Sequence, residues 1–236
     1  MRKIFTSLMV LGILFLMEGK ITEAAAPATT VFGDSNTAGS NWPEYGYDDN
    51  KKWSVLLGKS RTVVNKGIGG NTTGMGLNRM NDILQSKPKT VTIMFGTNDA
   101  VLNSKFIPKT SLRQYESNLN KMVDTFQSKR INVVLMTTLP IIEQPYYKRH
   151  NKNLYLKYGG VRAFHDKYNE VTRKVAGQQR VPLMDTYKTF LRFSGEATDT
   201  ALIESGLIDP SGNHMTPYGA KVFHNNLANV LSKNKY

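Results

Sequence analysis

Short apolar runs alternate with longer segments of helical periodicity along this 236-residue chain, and this alternation restricts the fold more than any other feature. Five runs lie at residues 28–32, 61–65, 90–95, 131–137 and 181–185, and the last of them is the weakest. A strand that is apolar on both faces is typical of a parallel sheet that helices cover from both sides. The pattern therefore predicts five strands in one buried sheet.

The segments between these runs favour helices. Apolar side chains recur at three- and four-residue spacing within residues 112–126, 161–171 and 222–231, and Pro217 suits the first turn of the last helix. Strand, helix and strand joined by short connections form right-handed βαβ units. The sequence contains no repeat and no linker, so we predict a single α/β domain.

The N-terminus has the order of a secretory signal. Arg2 and Lys3 precede an apolar run at residues 8–17, and three alanines follow at 24–26. That run is shorter than the roughly 20 residues that a spanning helix needs. We expect residues 1–26 to be a cleaved signal peptide and residues 27–236 to be the working domain, secreted or associated with the cell wall. An uncleaved anchor or a buried helix is the alternative.

Composition excludes several classes of protein. The chain has no cysteine, which rules out a disulfide scaffold, a zinc–thiolate site, an iron–sulfur cluster, a cysteine nucleophile and a lipid anchor on cysteine. The net charge of +13 favours an anionic partner such as a wall polymer or a membrane surface. Charge alone, without a recognition motif, does not indicate nucleic acid. We expect no metal and no cofactor.

Polar residues follow the predicted strands where ligands bind in an open parallel sheet, beyond the carboxyl ends. Ser35, Gly70 and Asn98 each follow one of the first three runs, and His214 lies past the last. A serine that attacks a carbonyl needs a base, here His214. The tetrahedral oxyanion needs donors, here the N–H groups of Ser35 and Gly70 and the amide of Asn98.

These blocks resemble the SGNH (GDSL-type) hydrolases, in order and over nearly the whole chain after residue 26. The matching residues are Gly33-Asp34-Ser35, Gly70, Gly96-Thr97-Asn98-Asp99 and His214. The resemblance implies a flavodoxin-like three-layer α/β/α sandwich with a central, mostly parallel five-stranded sheet. It also implies a metal-free serine ester hydrolase that forms an acyl-enzyme on Ser35.

One position departs from the family pattern. The family places an aspartate three residues before the catalytic histidine, whereas this chain has Ser211 there and Asp209 two residues earlier. A loop bent at Pro210 and Gly212 would let Asp209 reach the His214 ring, and a main-chain carbonyl that orients the ring is the alternative. The third group fixes the tautomer and orientation of the histidine, and we expect Asp209 to be that group.

Substrate contacts are predicted from aromatic residues near the loops. Residues 143–158 combine tyrosines with lysines and are interpreted as an exposed insertion in which Tyr146 and Tyr147 contact substrate, with Trp42 on the other side. The expected substrate is an ester of an acyl lipid or of an O-acylated polysaccharide. The alternatives are an acyltransferase and a catalytically decayed module that binds a wall polymer.

Overall fold

The computed structural model describes residues 28–236, so the predicted signal peptide lies outside the described residues. Five strands form one sheet in the order β2-β1-β3-β4-β5, and every neighbouring pair is parallel. The strands are β1 Thr29–Gly33, β2 Val63–Gly67, β3 Thr90–Met94, β4 Asn132–Met136 and β5 Leu183–Met184. All five predicted strands are therefore confirmed, and the fold is α/β.

Ten α-helices accompany the sheet within residues 28–236. They are α1 Ser35–Ala38, α2 Trp53–Gly58, α3 Thr73–Asn78, α4 Met80–Gln85, α5 Leu112–Ser128, α6 Glu143–Tyr147, α7 Val161–Gln179, α8 Thr186–Ser194, α9 Asp199–Glu204 and α10 Pro217–Lys233. The three long helices match the three periodic segments of the sequence. In this part of the chain, no helix is both long and apolar enough to cross a bilayer.

The sheet separates two apolar cores. Successive side chains of a strand point to opposite faces, so Phe32 joins the core beneath α4, α5 and α7, whereas Val31 joins the core beneath α2, α8, α9 and α10. The same alternation places Ile93 in the first core and Met94 in the second. Burial on both faces explains why the strands read as continuous apolar runs, and it confirms the three-layer arrangement.

Residues 143–158 differ from the predicted exposed insertion. They form α6 and two short 3₁₀ turns, Lys152–Leu154 and Leu156–Tyr158. Tyr155 is fully buried, and its hydroxyl accepts a hydrogen bond from the N–H of Leu102 (3.2 Å). A tyrosine ring can fill a core when its hydroxyl finds a partner, so the tyrosines of this segment serve as packing while its lysines stay at the surface.

Helix α1 lies unusually close to the end of β2. A Cβ atom on Gly67 would overlap the backbone nitrogen of Ala38, and one on Gly33 would overlap the carbonyl oxygen of Met94. Only glycine permits this approach of one backbone to another. These two glycines therefore let α1, which begins at Ser35, sit directly on the carboxyl edge of the sheet.

Candidate active site

The four loops singled out by the sequence meet at the carboxyl edge of the sheet. The side-chain amide of Asn98 donates to the carbonyl oxygen of Asn71 (3.0 Å), which joins the loops after β3 and β2. The amide of Asn36 donates to the carbonyl oxygen of Asn213 (2.9 Å), which joins α1 to the loop at residues 209–214. Residues that are distant in the sequence thus form one cluster.

Ser35 and His214 form the centre of this cluster. The Ser35 Oγ lies 2.9 Å from His214 Nε2. Serine at this place could instead cap the helix, but the cap of α1 is Asp34, whose carboxylate accepts from the N–H of Asn36 (3.0 Å). The Ser35 hydroxyl is therefore directed to the histidine rather than to the helix backbone.

The other ring nitrogen of His214 meets a hydroxyl, not a carboxylate. His214 Nδ1 lies 3.0 Å from the Oγ of Ser211, and the Ser211 hydroxyl donates to Asp209 Oδ1 in turn. The expectation that Asp209 bonds the ring directly is wrong, and so is the alternative of a main-chain carbonyl. The reason is local: the N–H of Ser211 also donates to Asp209 Oδ1 (3.0 Å), which turns the carboxylate toward Ser211.

Asp209 is held from its far side as well. Its second oxygen, Oδ2, accepts from the side-chain amide of Asn41 (2.8 Å), and Asp209 is only 1% exposed. The loop closes as a tight turn, because the N–H of Asp209 donates to the carbonyl oxygen of His214 (2.9 Å). The carboxylate is thus a fixed part of the loop that carries the histidine.

The environment keeps His214 neutral. Burial lowers its pKa below the usual 6.5, Asp209 opposes this by raising it, and the Arg149 guanidinium lowers it further. A neutral ring that donates from Nδ1 to Ser211 presents the Nε2 lone pair to the Ser35 hydroxyl. The pair has the geometry and the protonation state of a nucleophile with its general base.

The predicted oxyanion donors lie on loops beside Ser35. A Cβ atom on Gly69 would stand 3.9 Å from the Cβ of Ser35, so the loop after β2 borders the serine. Gly70 has a left-handed backbone (φ +77°), which favours glycine. Among residues 28–236, the N–H groups of Ser35 and Gly70 donate to no protein acceptor, and Asn98 commits one of its two amide hydrogens to Asn71.

Arg79 holds this loop in place, and the sequence analysis missed it. Its guanidinium donates to the side chain of Asn71 (2.9 Å) and to the carbonyl oxygens of Lys66 (2.6 Å) and Gly33 (2.9 Å). It also lies over the ring of Phe32, 4.5 Å from the centroid. One side chain therefore ties the ends of β1 and β2 to the loop of Gly70. No local sequence signal marks such a role.

Arg149 holds the loop at residues 209–214, which carries His214. It donates to the carbonyl oxygen of Ser211 (2.6 Å) and to the side chain of Asn213 (2.9 Å). Arg149 thus fixes one side of this loop. Among the described residues, no three His, Asp or Glu side chains gather as a possible metal-binding group.

Two of the three predicted substrate contacts are wrong. Trp42 is 3% exposed and packs against Tyr47, with ring centroids 5.4 Å apart. Tyr146 is 1% exposed and stacks on His150 at 4.1 Å. Both rings fill core space, so neither reaches a ligand. Tyr147 is half-buried and accepts from the N–H of Val161 (2.8 Å), which makes its hydroxyl part of the scaffold as well.

Asp99 and Asp34 stabilise the loops that border Ser35. Asp99 accepts from the N–H of Thr73 (3.0 Å) and from its hydroxyl (2.6 Å), which joins the third loop to α3. Asp34 is buried beside Ser35, and its Oδ2 has no partner among residues 28–236. Burial raises the pKa of Asp34 to about 7. This carboxyl is therefore close to half protonated at neutral pH.

Comparison with known proteins agrees with this geometry. The model of the GDSL-like Lipase/Acylhydrolase family matches residues 31–222. The chain is 42% identical over 205 residues to "Uncharacterized lipoprotein YqeF" of Bacillus subtilis, covering 82% of this chain and 84% of that protein. It is 32% identical over 168 residues to "Arylesterase" of Vibrio mimicus, covering 68% and 70%. The solved acetyl xylan esterase AlAXEase has the same fold, with a TM-score of 0.67, 19% identity and coverage of 86% and 98%.

Asp34 predicts a stability that falls as pH rises. The unfolded carboxyl has a pKa near 3.8 and the folded one about 7, so between these values the folded state holds a proton that the unfolded state has lost. The free energy of unfolding should drop by about 3 kcal/mol from about pH 5 to about pH 8 on this account. Asp34→Asn keeps the helix cap and should remove that drop. Urea denaturation at both pH values measures the free energy of unfolding. Asp124→Asn, at an exposed position, is the control and should keep the drop. Parallel pH dependence in wild type and Asp34→Asn would contradict the assignment.

Proposed function

This chain belongs to the GDSL-like Lipase/Acylhydrolase family and is a carboxylic ester hydrolase, and we propose that it works through an acyl-enzyme on Ser35. The observation that carries the proposal is the 2.9 Å hydrogen bond between Ser35 Oγ and His214 Nε2. The N–H groups of Ser35 and Gly70, which have no protein acceptor among residues 28–236, and the Asn98 amide lie on neighbouring loops at the same edge of the sheet and support the proposal. An intact pair of this kind argues against a decayed binding module.

The first half of the reaction transfers the acyl group. Ser35 Oγ attacks the ester carbonyl carbon while its proton passes to Nε2 of His214. The carbonyl oxygen becomes an oxyanion, which accepts from the N–H groups of Ser35 and Gly70 and from the Asn98 amide. When the intermediate collapses, the C–O bond to the alcohol breaks, and His214 returns the proton to the leaving oxygen.

The second half regenerates the serine. Water takes the place of the alcohol, and His214 removes one of its protons as the oxygen attacks the acyl carbon. Collapse of the second intermediate returns that proton to Ser35 Oγ and releases the carboxylic acid. Because the same base serves both halves, the orientation of its ring affects both.

Ser211 and Asp209 are the residues that set this orientation. The Nδ1–H of His214 donates to Ser211 Oγ, and the Ser211 hydroxyl donates to Asp209. The hydroxyl transmits the position of the fixed carboxylate to the ring, and it selects the tautomer that leaves Nε2 unprotonated. Asp209 stabilises the imidazolium from a greater distance than a directly bonded aspartate would.

Esters with small acyl groups are the proposed substrates, whether on an aryl or alkyl alcohol or as O-acetyl groups of a polysaccharide. A relative at 32% identity bears the name arylesterase, which supports aryl esters among these substrates. Trp42 and Tyr146 are buried, so they do not supply an aromatic platform for a chain or a sugar.

The working enzyme is proposed to be residues 27–236, exported and freed of its signal peptide. The order of basic, apolar and small residues in the first 26 positions supports this, as does a 42% identical relative that is named a lipoprotein. Mass spectrometry of the N-terminus after export measures the cleavage site. An N-terminus upstream of the alanines at 24–26 would contradict it.

Replacement of Ser35 should abolish hydrolysis. Ser35→Ala is expected to lose at least about 10³-fold in kcat on chromogenic esters, because no nucleophile remains. A fluorophosphonate should label the wild type at Ser35 and leave the variant unlabelled. Ser60→Ala, at the opposite edge of the sheet, is the matched control and should keep full activity. Equal hydrolysis by Ser35→Ala and Ser60→Ala would refute the mechanism. A panel of esters from acetyl to palmitoyl measures the preferred length of the acyl group.

The relay through Ser211 should be visible in pH profiles. Wild-type kcat/KM should rise with pH along an acid limb whose midpoint lies below 6.5, since burial lowers the His214 pKa. Asp209→Asn removes a charge that raises this pKa, so the limb should move to lower pH while kcat falls. Ser211→Ala should lose about 10- to 100-fold in kcat. Ser211→Asp should have a higher kcat than Ser211→Ala, and its acid limb should lie at higher pH than that of the wild type. Unchanged limbs in Asp209→Asn and Ser211→Asp would show that the two residues are only structural.

A further inference from the structure

The charged side chains in the loops at the edge of the sheet opposite Ser35 are all of one sign. The loops at residues 59–62, 86–89, 129–131 and 180–182, together with the C-terminal residues 232–236, contain no Asp or Glu. We call their cationic residues the basic edge: Lys59, Arg61, Lys87, Lys89, Lys129, Arg130, Arg180, Lys233 and Lys235. Arg61 is half-buried and the other eight are exposed. The loops around the active site, by contrast, mix both signs.

Parallel pairing places these loops side by side. All strands of the sheet start at the same edge, and hydrogen bonds join the segments that precede them. The bonds run from Thr29 N to Thr62 O (3.0 Å), Thr90 N to Ala28 O (3.2 Å), Asn132 N to Lys89 O (3.0 Å) and Arg61 Nη1 to Tyr236 O (3.0 Å). The basic edge is therefore one continuous surface rather than separate charges.

A recess lies within this surface. It has a volume of about 460 Å³, its apolar wall is formed by Leu84, Pro88 and Ile131, and four cations surround it. An apolar wall next to cationic side chains suits a molecule that joins a phosphate to hydrocarbon. A polymer of phosphates alone would use the cations and leave the apolar wall unfilled.

We propose that the basic edge docks the folded domain on an anionic phospholipid surface. Charge complementarity is the first reason, because Lys and Arg near an anionic leaflet each add favourable energy within a Debye length. The second is the path of the chain, which enters β1 through Ala28 at this same edge, so the described domain begins on the face that carries the cations.

The comparison with the relatives gives a third reason. A 42% identical protein is named a lipoprotein, whereas this sequence has no cysteine to carry a lipid. A peripheral electrostatic contact would hold the domain at a membrane without covalent lipid. A polybasic surface is one of the two signals that commonly combine to give stable membrane attachment.

The orientation that follows points the active site away from the bilayer. Five-residue strands separate the two edges by about 15 Å of sheet, and the loops add to that distance. Ser35 then faces esters that lie beyond the headgroups, and not the acyl esters of the bilayer that holds the domain. The docking itself does not depend on the proposed function, since it uses none of the residues around Ser35.

Vesicle binding of the full chain tests the proposal with two variants of equal charge. The edge variant replaces Lys59, Lys89, Lys129 and Lys233 with Gln. The control variant replaces Lys105, Lys121, Lys167 and Lys221, which are exposed elsewhere, with Gln. Sedimentation with phosphatidylglycerol–phosphatidylcholine vesicles should show about 30-fold or greater loss for the edge variant and less than about 4-fold for the control. Pure phosphatidylcholine vesicles measure binding that does not depend on lipid charge and should not separate the two variants.

Labelling fixes the orientation. Because the chain has no cysteine, Ser60→Cys and Ser104→Cys each carry a dye at one place, the first on the basic edge and the second on the loop after β3. Brominated lipid should quench the dye at position 60 and spare the dye at position 104. Equal quenching at both positions would overturn the orientation.

Three results would overturn the docking itself. If the edge and control variants lose the same vesicle affinity, the net charge of the protein and not the basic edge is responsible for binding. If vesicle affinity does not change with the phosphatidylglycerol content, binding is not electrostatic. If retention on a polyphosphate matrix requires the edge lysines but vesicle binding does not, the basic edge binds a wall-type polymer instead. Activity on a soluble ester, measured in parallel, should be the same in both variants, so a failure of the proposed mechanism is recognised separately.

Discussion

The pairing of β1 with both β2 and β3 is the constraint on which the rest of the molecule depends. Parallel strands that start together also end together, so the segments after Gly33, Gly67 and Met94 are neighbours by construction. The sheet thereby brings together the Ser35 hydroxyl, the left-handed Gly70 and the Asn98 amide, which are far apart in the sequence. The glycines at the ends of β1 and β2 then allow α1 to lie on that edge, where the Ser35 hydroxyl meets His214.

The histidine reaches this edge by a different route. His214 lies on no strand, and its loop is closed by the isolated bridge between Ile208 and Met215. Hydrogen bonds from Asn36, Asn41 and Arg149 attach the loop to α1, to the turn after α1 and to the turn after α6. Within so rigid a turn, Asp209 accepts from the N–H of Ser211, and a hydroxyl spans the remaining gap to the ring. Arg79 secures the opposite loop, so two arginines hold the two sides of the site.

The two edges of one sheet thus carry two kinds of chemistry. At the carboxyl edge, buried polar groups such as Asp34 and Asp209 are held by fixed hydrogen bonds around Ser35 and His214. At the amino edge, exposed cations of one sign need no fixed geometry and suit a diffuse anionic surface. In the proposed arrangement the height of the sheet separates the docking face from the face of Ser35, so the two do not compete for the same surface.

The sequence by itself determined the strands, the long helices and the identity of the Ser35–His214 pair, because those signals are periodic or lie within short motifs. The short helices α1, α3, α4, α6 and α9 span too few residues for a period to be read. Only the tertiary structure decided that Trp42, Tyr146 and Tyr155 are core residues, since an aromatic ring gives the same sequence signal in a core as at a surface. It also decided that Ser211 stands between Asp209 and His214. That outcome depends on the direction of one buried carboxylate, which accepts from the N–H of Ser211 on one side and from the amide of Asn41, 168 positions away in the chain, on the other.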